Sequence, residues 1–233
     1  TNAGIQFQAV SSVPGNVLSA AYTVRPIDVG KVLHVVGVHT GTQLQLWVNG
    51  VQAGADVAIT SYTTATLAMN VGRRTGTGSS VLGSVAVFGV AGGNFVPTGA
   101  EILAAYVAGK ARGAIVAIPA KTTHLWSVEL DITTVAPCGV TDQVPLLGQT
   151  RANLSSVGGL AMSRIGSWVG VTDFASTRYL TNASTTGGVR GQLAGFWAYV
   201  AVAVTSQGVA STSRRLYGAA NNAASQGFEL RTL

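Results

Sequence analysis

Carboxylates are the first side chains to consider, because they can hold metal ions and can act as acids or bases. The chain of 233 residues carries eight of them. Only Glu129 and Asp131 are close neighbours, and alternation along a strand places both on one face. Their repulsion would be relieved by a bound cation, or by Lys121 and an arginine. A cation site needs more oxygen ligands than two, so the pair is a weak metal candidate and a solvated or arginine-paired role is favoured.

The three histidines have no spacing typical of catalysis or metal binding. His34 and His39 are five residues apart in one strand pattern, which places them on opposite faces of that strand. His124 begins another apolar strand pattern. No serine lies in a G-x-S-x-G motif, and no H-x-x-x-H spacing occurs. We therefore predict core or edge histidines and no enzymatic activity.

A glycine-rich stretch, RRTGTGSSVLGS, offers a different kind of site. It begins with Arg73 and Arg74 but precedes a strand pattern rather than a helix, so a dinucleotide or phosphate-binding loop is excluded and an inter-strand loop is predicted. Loops at one rim of a β-sandwich commonly bind ligands. The candidate ligand-binding residues are therefore Trp47, Tyr62, Arg73 and Arg74, with Trp47 able to stack on a sugar. Core packing is the alternative for Trp47 and is favoured for the other three tryptophans.

Strand patterns dominate the chain and must position these residues. Period-two alternation or short β-branched runs, separated by turns rich in Gly, Ser and Thr, fall at residues 5–10, 32–39, 44–48, 66–72, 83–90, 124–132, 159–165, 193–204, 214–218 and 227–233. In LQLWVNGVQAG, Asn49 and Gly50 predict a tight two-residue hairpin turn. Many short strands at this spacing predict an all-β antiparallel sandwich of the jelly-roll type.

One segment, PTGAEILAAYVAGK, predicts a short helix instead. Thr98 and Glu101 have the spacing of a capping box, and apolar residues follow at helical intervals. Gly109 is the predicted stop, which gives a helix over about residues 99–108. We expect this helix to cover one edge or end of the sandwich.

Charge is sparse, with 14 basic and 8 acidic residues and a net charge of +6. A surface built mainly from Thr, Ser, Asn, Gln and Gly suits an extracellular, cell-surface or virion setting. Basic residues occur singly or in pairs, so dedicated nucleic-acid binding is not expected. The lone Cys138 cannot form an intramolecular disulfide and is interpreted as a small buried residue. No run of eighteen apolar residues occurs, so no membrane span is expected.

Residues 30 to 110 carry a resemblance to a known family. VLHVVGVHTGTQLQLWVNGVQAG, TLAMNVGRR and GSVAVFGVAGGNFVPTGAEILAAYVAG follow each other as in laminin-G-like, concanavalin A-like jelly-roll domains. In that family the segment comes last, whereas here it comes first. HLWSVELDITTVAPCGVTDQVPLLGQT in turn resembles the family's opening strand and loop, and LAGFWAYVAVAVTSQGVASTSRRLYGAANNAASQGFELRTL resembles its second portion. The resemblance implies one circularly permuted domain over 1–233, with 1–110 similar to the back half and 120–233 similar to the front half.

Permutation makes a prediction about the two ends of the sequence. GFELRTL and TNAGIQFQAV would form a consecutive strand pair, with the termini within about 10 Å, or two strand spacings. In the alternative, each half is completed by a neighbouring subunit, and strand exchange builds a fibre. Closure within one chain is the favoured interpretation.

The resemblance also implies ligands and cofactors. It implies carbohydrate or protein ligands at rim loops, and calcium held there by carboxylates and carbonyls, for which Glu129 and Asp131 are the candidates. Family glycosidases carry an E-x-D-x-x-E cluster, and the ELD stretch at 129–131 lacks the third member, so hydrolase activity is not expected. The expected function is a non-enzymatic binding module. The alternative, favoured by the low charge, is a self-assembling structural subunit: a virion coat, decoration or extracellular fibre protein that forms homo-oligomers or larger assemblies.

Overall fold

The strand patterns form two antiparallel β-sheets in the computed structural model, which describes residues 4–10, 17–59, 69–72, 85–127, 155–172, 174, 179–182, 195–204, 214–221 and 226–232. In chain order, the strands are β1 (Gly4–Val10), β2 (Val17–Thr23), β3 (Val32–His39), β4 (Gln43–Val48), β5 (Val51–Gln52), β6 (Val57–Ala58), β7 (Met69–Val71), β8 (Val85–Gly93), β9 (His124–Ser127), β10 (Ser155–Val157), β11 (Ala161–Ile165), β12 (Trp168–Thr172), β13 (Tyr179–Asn182), β14 (Phe196–Val204), β15 (Arg214–Asn221) and β16 (Gln226–Thr232). Helical residues in these ranges are α1 (Gly99–Arg112) and a 3₁₀ turn at Pro26–Asp28. The predicted all-β sandwich with one short helix is confirmed.

Each sheet joins strands that are distant in sequence. The smaller sheet has the order β10-β13-β7-β15-β16-β1-β2 within the described residues. The larger sheet has the order β11-β12-β8-β14-β3-β4-β5, with β6 beside β4 and β9 beside β8. The nine-residue strand β14 runs through the middle of the larger sheet and pairs with β8 on one side and β3 on the other. The larger sheet is therefore buried on both faces along this strand.

The first and last described strands are direct neighbours. In the antiparallel pairing of β1 with β16, Ile5 lies opposite Thr232 and Phe7 opposite Leu230. The Arg231 guanidinium adds a bond across this pair, donating from Nη2 to the Gln6 side-chain oxygen at 2.8 Å. This pairing within one chain confirms the predicted strand pair at the two ends of the sequence.

The β3 strand shows how the larger sheet separates two cores. Leu33 and Val35 pack between the sheets, while Val36 and Val38 face the outer layer. Gly37 also faces the other sheet, where the Phe7 ring lies so close that a Cβ on Gly37 would be 2.3 Å from it. Period-two alternation therefore gives this strand two apolar faces instead of one apolar and one wet face.

The outer layer of the larger sheet is formed by α1 and the segment that follows it. Ile102, Ala105, Ile115 and Ile118 pack on the outer face of the larger sheet. The helix therefore covers the outer face of the larger sheet beside its β5 edge, whereas the prediction placed it over an edge or end of the sandwich.

The start of the helix agrees with the sequence prediction and its end does not. The Thr98 hydroxyl accepts a hydrogen bond from the Glu101 N–H, and the Glu101 carboxylate accepts one from the Thr98 N–H at 2.7 Å, so the capping box is confirmed. The predicted stop at Gly109 was wrong. The helix continues to Arg112 and ends at Gly113, which has the left-handed φ of +75°.

The hairpin turn between β4 and β5 has the predicted form. Asn49 and Gly50 both have positive φ, at 53° and 78°, as a two-residue turn of type I′ requires. Several strands were not predicted, among them β2, β12 and β13. No helix in the described part of the chain combines the length and the apolar character needed to cross a membrane.

Candidate functional site

A cavity of about 410 Å³ opens at one end of the outer layer. Its walls come from the segment 25–31 around the 3₁₀ turn, the beginning of β3, the second half of α1, the β11–β12 hairpin and the turn after β4. We call it the His34 pocket. The wall residues that matter for its chemistry are Arg25, Asp28, Lys31, His34, Asn49, Tyr106, Lys110 and Trp168.

His34 is the most deeply buried polar side chain of the pocket, with 2% of its surface exposed. Its ring meets the rings of Tyr106 and Trp168 edge to face, each with a centroid distance of 5.1 Å. Burial lowers the pKa of His34 to about 4, so the imidazole is neutral at neutral pH. One ring nitrogen, Nδ1, is hydrogen-bonded to the hydroxyl of Tyr199. The other, Nε2, is buried and has no hydrogen-bond partner among the described residues.

The Tyr199 hydroxyl decides which ring nitrogen of His34 carries the proton. Burial raises the pKa of Tyr199 well above its ordinary value, so the phenol stays protonated. A phenol donates its hydrogen readily, and Nδ1 is the acceptor within reach. A neutral imidazole that accepts at Nδ1 carries its hydrogen on Nε2. In the tautomer in which Tyr199 donates to Nδ1, Nε2 is a buried N–H donor that no described residue satisfies.

The helix approaches His34 closely because position 109 is a glycine. A Cβ on Gly109 would lie 2.8 Å from the His34 Cε1 and 2.9 Å from the carbonyl oxygen of Ala114. The strand side of the ring is fixed by the hairpin turn, where the Asn49 side-chain oxygen accepts from the backbone N–H of His34 at 3.0 Å. Helix and hairpin together hold the imidazole in one place.

The charges around the pocket are unbalanced. Asp28 is the one carboxylate among the described wall residues, and its pKa is lowered to about 2, chiefly by hydrogen bonds from the Arg25 side chain. Arg25 Nη2 lies 3.0 Å from Asp28 Oδ1, and the Tyr22 hydroxyl donates to Asp28 Oδ2 at 2.7 Å. Asp28 is therefore already neutralised by its own neighbours. Lys31 and Lys110 are exposed and form no ion pair within the described residues, so the wall has an excess of positive charge.

Of the ligand residues predicted from sequence, Trp47 alone lies within the described residues. It is partly buried on the outer face of β4, where a Cβ on Gly99 would be 2.5 Å from its ring. Its indole N–H donates to the Gln45 side-chain oxygen at 3.3 Å. Trp47 does not line the His34 pocket. The remaining predicted residues, which lie outside the described ranges, are Tyr62, Arg73, Arg74, Glu129 and Asp131.

The prediction of core or edge histidines is confirmed, since all three are buried. The sequence did not show that His34 lines a cavity. His34, His39 and His124 all have 2% or less of their surface exposed. His34 and His39 lie on opposite faces of β3, since His39 stacks on Phe196 of the inter-sheet core. Within the described part of the chain, no three His, Cys, Asp or Glu side chains are grouped so that they could hold a metal ion.

No family model, curated protein or solved structure matches this chain. Its function is therefore inferred from the shape, hydrogen-bonding capacity and charge of the His34 pocket.

Proposed function

We propose that this chain is a non-enzymatic binding module whose ligand, a carbohydrate, occupies the His34 pocket. The observation that carries the proposal is a cavity of about 410 Å³ whose wall combines two aromatic residues, Tyr106 and Trp168, with polar and charged side chains. Small-ligand sites usually have volumes of about 300–1,000 Å³, mostly apolar walls and a few placed polar groups. The partly exposed ring of Tyr106 supplies flat apolar surface for sugar C–H groups, while Trp168, which is 8% exposed, adds a small part of the wall. Asn49, Lys31 and Lys110 supply polar contacts for sugar oxygens.

The proposed function includes the laminin-G-like, concanavalin A-like resemblance and the circular permutation that it implies. It rests on the ordered motifs in residues 30 to 110, and the pairing of β1 with β16 is the arrangement that a circular permutation requires. The ligand site is therefore proposed to be the His34 pocket and not the rim-loop residues Trp47, Tyr62, Arg73 and Arg74. The extracellular, cell-surface or virion setting stays a proposal that rests on the sparse charge.

A comparison of two aromatic variants tests the position of the site. Isothermal titration calorimetry with hexoses and their disaccharides gives the affinity for wild type, Tyr106→Ala and the matched control Trp47→Leu. We expect Tyr106→Ala to weaken binding about tenfold because it removes a ring from the pocket wall. Trp47→Leu should leave the affinity unchanged. Loss of binding in Trp47→Leu but not in Tyr106→Ala would show that the ligand binds at the predicted rim-loop residues. Absence of saccharide binding by the wild type would overturn the proposal.

A self-assembling structural subunit is the second candidate, and one surface favours it. Leu103 and Val107 lie four residues apart on α1 and are about half exposed, at 46% and 56%. Leu103 packs against Gly50, next to Val51, which is 67% exposed. Exposed apolar side chains that lie together are typical of interaction sites. Light scattering after size exclusion tests this candidate. A mass near 23.6 kDa would exclude assembly. A particle or filament in the wild type that is lost in the double variant Leu103→Gln, Val107→Gln would support it.

A further inference from the structure

We propose that the exposed face of α1 binds the same face of a second copy of this chain, which gives an antiparallel two-fold dimer. The inference rests on the second candidate under the proposed function, the self-assembling subunit, because it uses the same exposed side chains. It specifies the partner, a second copy, and the symmetry, a closed pair instead of a fibre. It does not depend on what the His34 pocket binds.

The helix is apolar on two opposite sides. Ile102, Ala105 and Gly109 are buried on the side that packs on the larger sheet. The exposed side carries apolar residues at the spacing of successive helical turns, and we call it the α1 face: Ala100, Leu103, Ala104, Val107, Ala108 and Ala111. A surface helix normally presents polar side chains to water, and a helix that is apolar all round is normally buried. The α1 face therefore has the composition of a packing surface.

The hairpin turn after β4 extends the apolar surface beside the α1 face. Leu103 and Val107 are 46% and 56% exposed. A Cβ on Gly50 would lie 2.7 Å from the Leu103 Cδ1, so the turn contacts the helix at this point. Val51, the next residue, is 67% exposed. Exposed apolar side chains that lie together in this way are typical of interaction sites.

The spacing of the α1 face is the same in both directions along the helix. Ala100, Ala104, Val107 and Ala111 are separated by four, three and four positions, which is the spacing of the contact seam between two packed helices. An antiparallel copy therefore places Ala100 opposite Ala111 and Ala104 opposite Val107. Small side chains at these positions let two helices approach to about 8–10 Å. The surface is complementary to itself.

Charge complementarity favours a second copy over an unrelated partner. Glu101 lies in the first turn of α1, and Arg112 lies in the last. They are eleven residues apart, close to three helical turns, so both lie on one side of the α1 face. A two-fold axis between antiparallel helices brings this side of each copy together, so Glu101 of each copy would meet Arg112 of the other. The opposed helix dipoles add to this attraction.

Both charged groups have capacity for this contact. Arg112 is exposed and forms no ion pair with any described residue. Glu101 bonds to Thr98 through Oε2 alone among the described residues, which leaves Oε1 for an ion pair. A two-fold dimer would form this ion pair twice.

Light scattering after size exclusion, over protein concentrations from about 1 to about 200 µM, tests whether the dimer forms. A contact made mainly by one helix is at the low end of interface sizes, so we expect a dissociation constant in the micromolar range. The measured mass should rise with concentration from 23.6 kDa towards twice that value and no further.

An apolar double variant and a matched control locate the contact. Leu103→Gln with Val107→Gln should weaken dimerisation at least about a hundredfold, because the two-fold axis removes each side chain twice. The control, Ile27→Gln with Met162→Gln, also removes two exposed apolar side chains, which are 60% and 50% exposed and lie outside α1. It should leave dimerisation unchanged. Circular dichroism checks that both double variants are folded.

A charge variant and its rescue test the ion pair. Arg112→Glu places a carboxylate opposite Glu101 of the other copy and should weaken dimerisation about tenfold. Adding Glu101→Gln removes that repulsion and keeps a residue that completes the capping box, so most of the loss should be recovered. Both effects should shrink in about 1 M salt, because exposed charges are screened.

Disulfide formation tests the direction of the two helices. In a Cys138→Ser background, which removes the single native cysteine, Ala104→Cys protein is mixed with Val107→Cys protein and oxidised. The antiparallel dimer should give a crosslink between the two variants, because these positions lie opposite each other. A parallel pair would instead crosslink Ala104→Cys to itself.

The outcomes separate this inference from the proposed function. A dimer that is lost in the Leu103→Gln, Val107→Gln variant, with the crosslink between positions 104 and 107, would support it. A dimer that this variant does not weaken, or a filament in place of a dimer, would overturn it and leave self-assembly standing. A wild type that stays near 23.6 kDa at every concentration would overturn both the dimer and the self-assembly candidate, and would leave the carbohydrate module untouched.

Discussion

Acid should destabilise this protein through two buried histidines of β3. Burial lowers the pKa of His34 and of His39 to about 4, whereas an unfolded chain has histidines with a pKa of about 6.5. The unfolded state therefore binds protons that the folded state does not. The stabilising effect of neutral histidines is complete above pH 6.5 and is lost as the pH falls from 6.5 towards 4.

The size of the effect follows from these two pKa values. At pH 5, a histidine with a pKa of 6.5 in the unfolded state and about 4 in the folded state favours unfolding by about thirtyfold, which is about 2 kcal/mol. His34 and His39 together give about 4 kcal/mol. Since domains of this kind have a total stability of about 5–15 kcal/mol, the loss is a large fraction of the whole.

Urea unfolding at pH 7 and pH 5 measures this loss directly. The variants His34→Asn and His39→Asn remove the titrating ring but keep an oxygen near the position of Nδ1, which in His39 accepts from the Gly41 N–H at 3.3 Å. Each variant should reduce the difference between the two pH values by about 2 kcal/mol. Asp28 has a pKa of about 2, so it stays ionised in this window. An equal stability of wild type at pH 7 and pH 5 would refute the reasoning, as would a pH difference that neither substitution reduces.

Two further substitutions test the packing and the cap. Gly37→Ala would place a Cβ 2.3 Å from the phenylalanine ring of β1 and should cost about 1–3 kcal/mol in urea unfolding, whereas Gly159→Ala, which has open space around it, should change stability by less than about 0.5 kcal/mol. Equal losses in both would contradict the packing argument. Thr98→Ala removes the hydroxyl that accepts from the Glu101 N–H and should cost about 1 kcal/mol by thermal unfolding. Thr98→Ser keeps that acceptor, so a loss as large as alanine's would rule out the cap as the cause.

The elements that could be predicted from sequence are those whose form depends on residues close together in the chain. The β3 strand was predicted with the bounds 32–39, because its run of β-branched residues lies between two glycine-containing turns, and the start of α1 followed from the capping residues Thr98 and Glu101. The end of α1 did not follow, because two glycines compete for the role. Gly113 has the left-handed backbone that ends the helix, while Gly109 is small so that the helix can approach His34. The sequence shows that both residues are glycines. It does not show which one has the left-handed backbone and which one allows the close approach of the helix.

The His34 pocket could not be predicted because its walls come from distant parts of the chain. Lys31, Tyr106, Lys110 and Trp168 share no motif, and the register of β3, β12 and α1 brings them together. His34 was predicted to lie in the core or at an edge because its neighbours are apolar, and its burial shows that it lies in the core. The unsatisfied Nε2 depends on where Tyr199 lies, which is a property of strand pairing.

The pairing of β1 with β16 has a consequence for how this protein is made. A chain that emerges from the ribosome has β1 and β2 early, but one edge of β1 stays open until β16 has been synthesised. One edge of β3 likewise stays unpaired until β14 has been synthesised. Contacts between such distant residues form slowly, and open strand edges can pair with other chains. The nascent protein is therefore most prone to aggregate during translation, and synthesis of its last described strand completes the sheet that protects it.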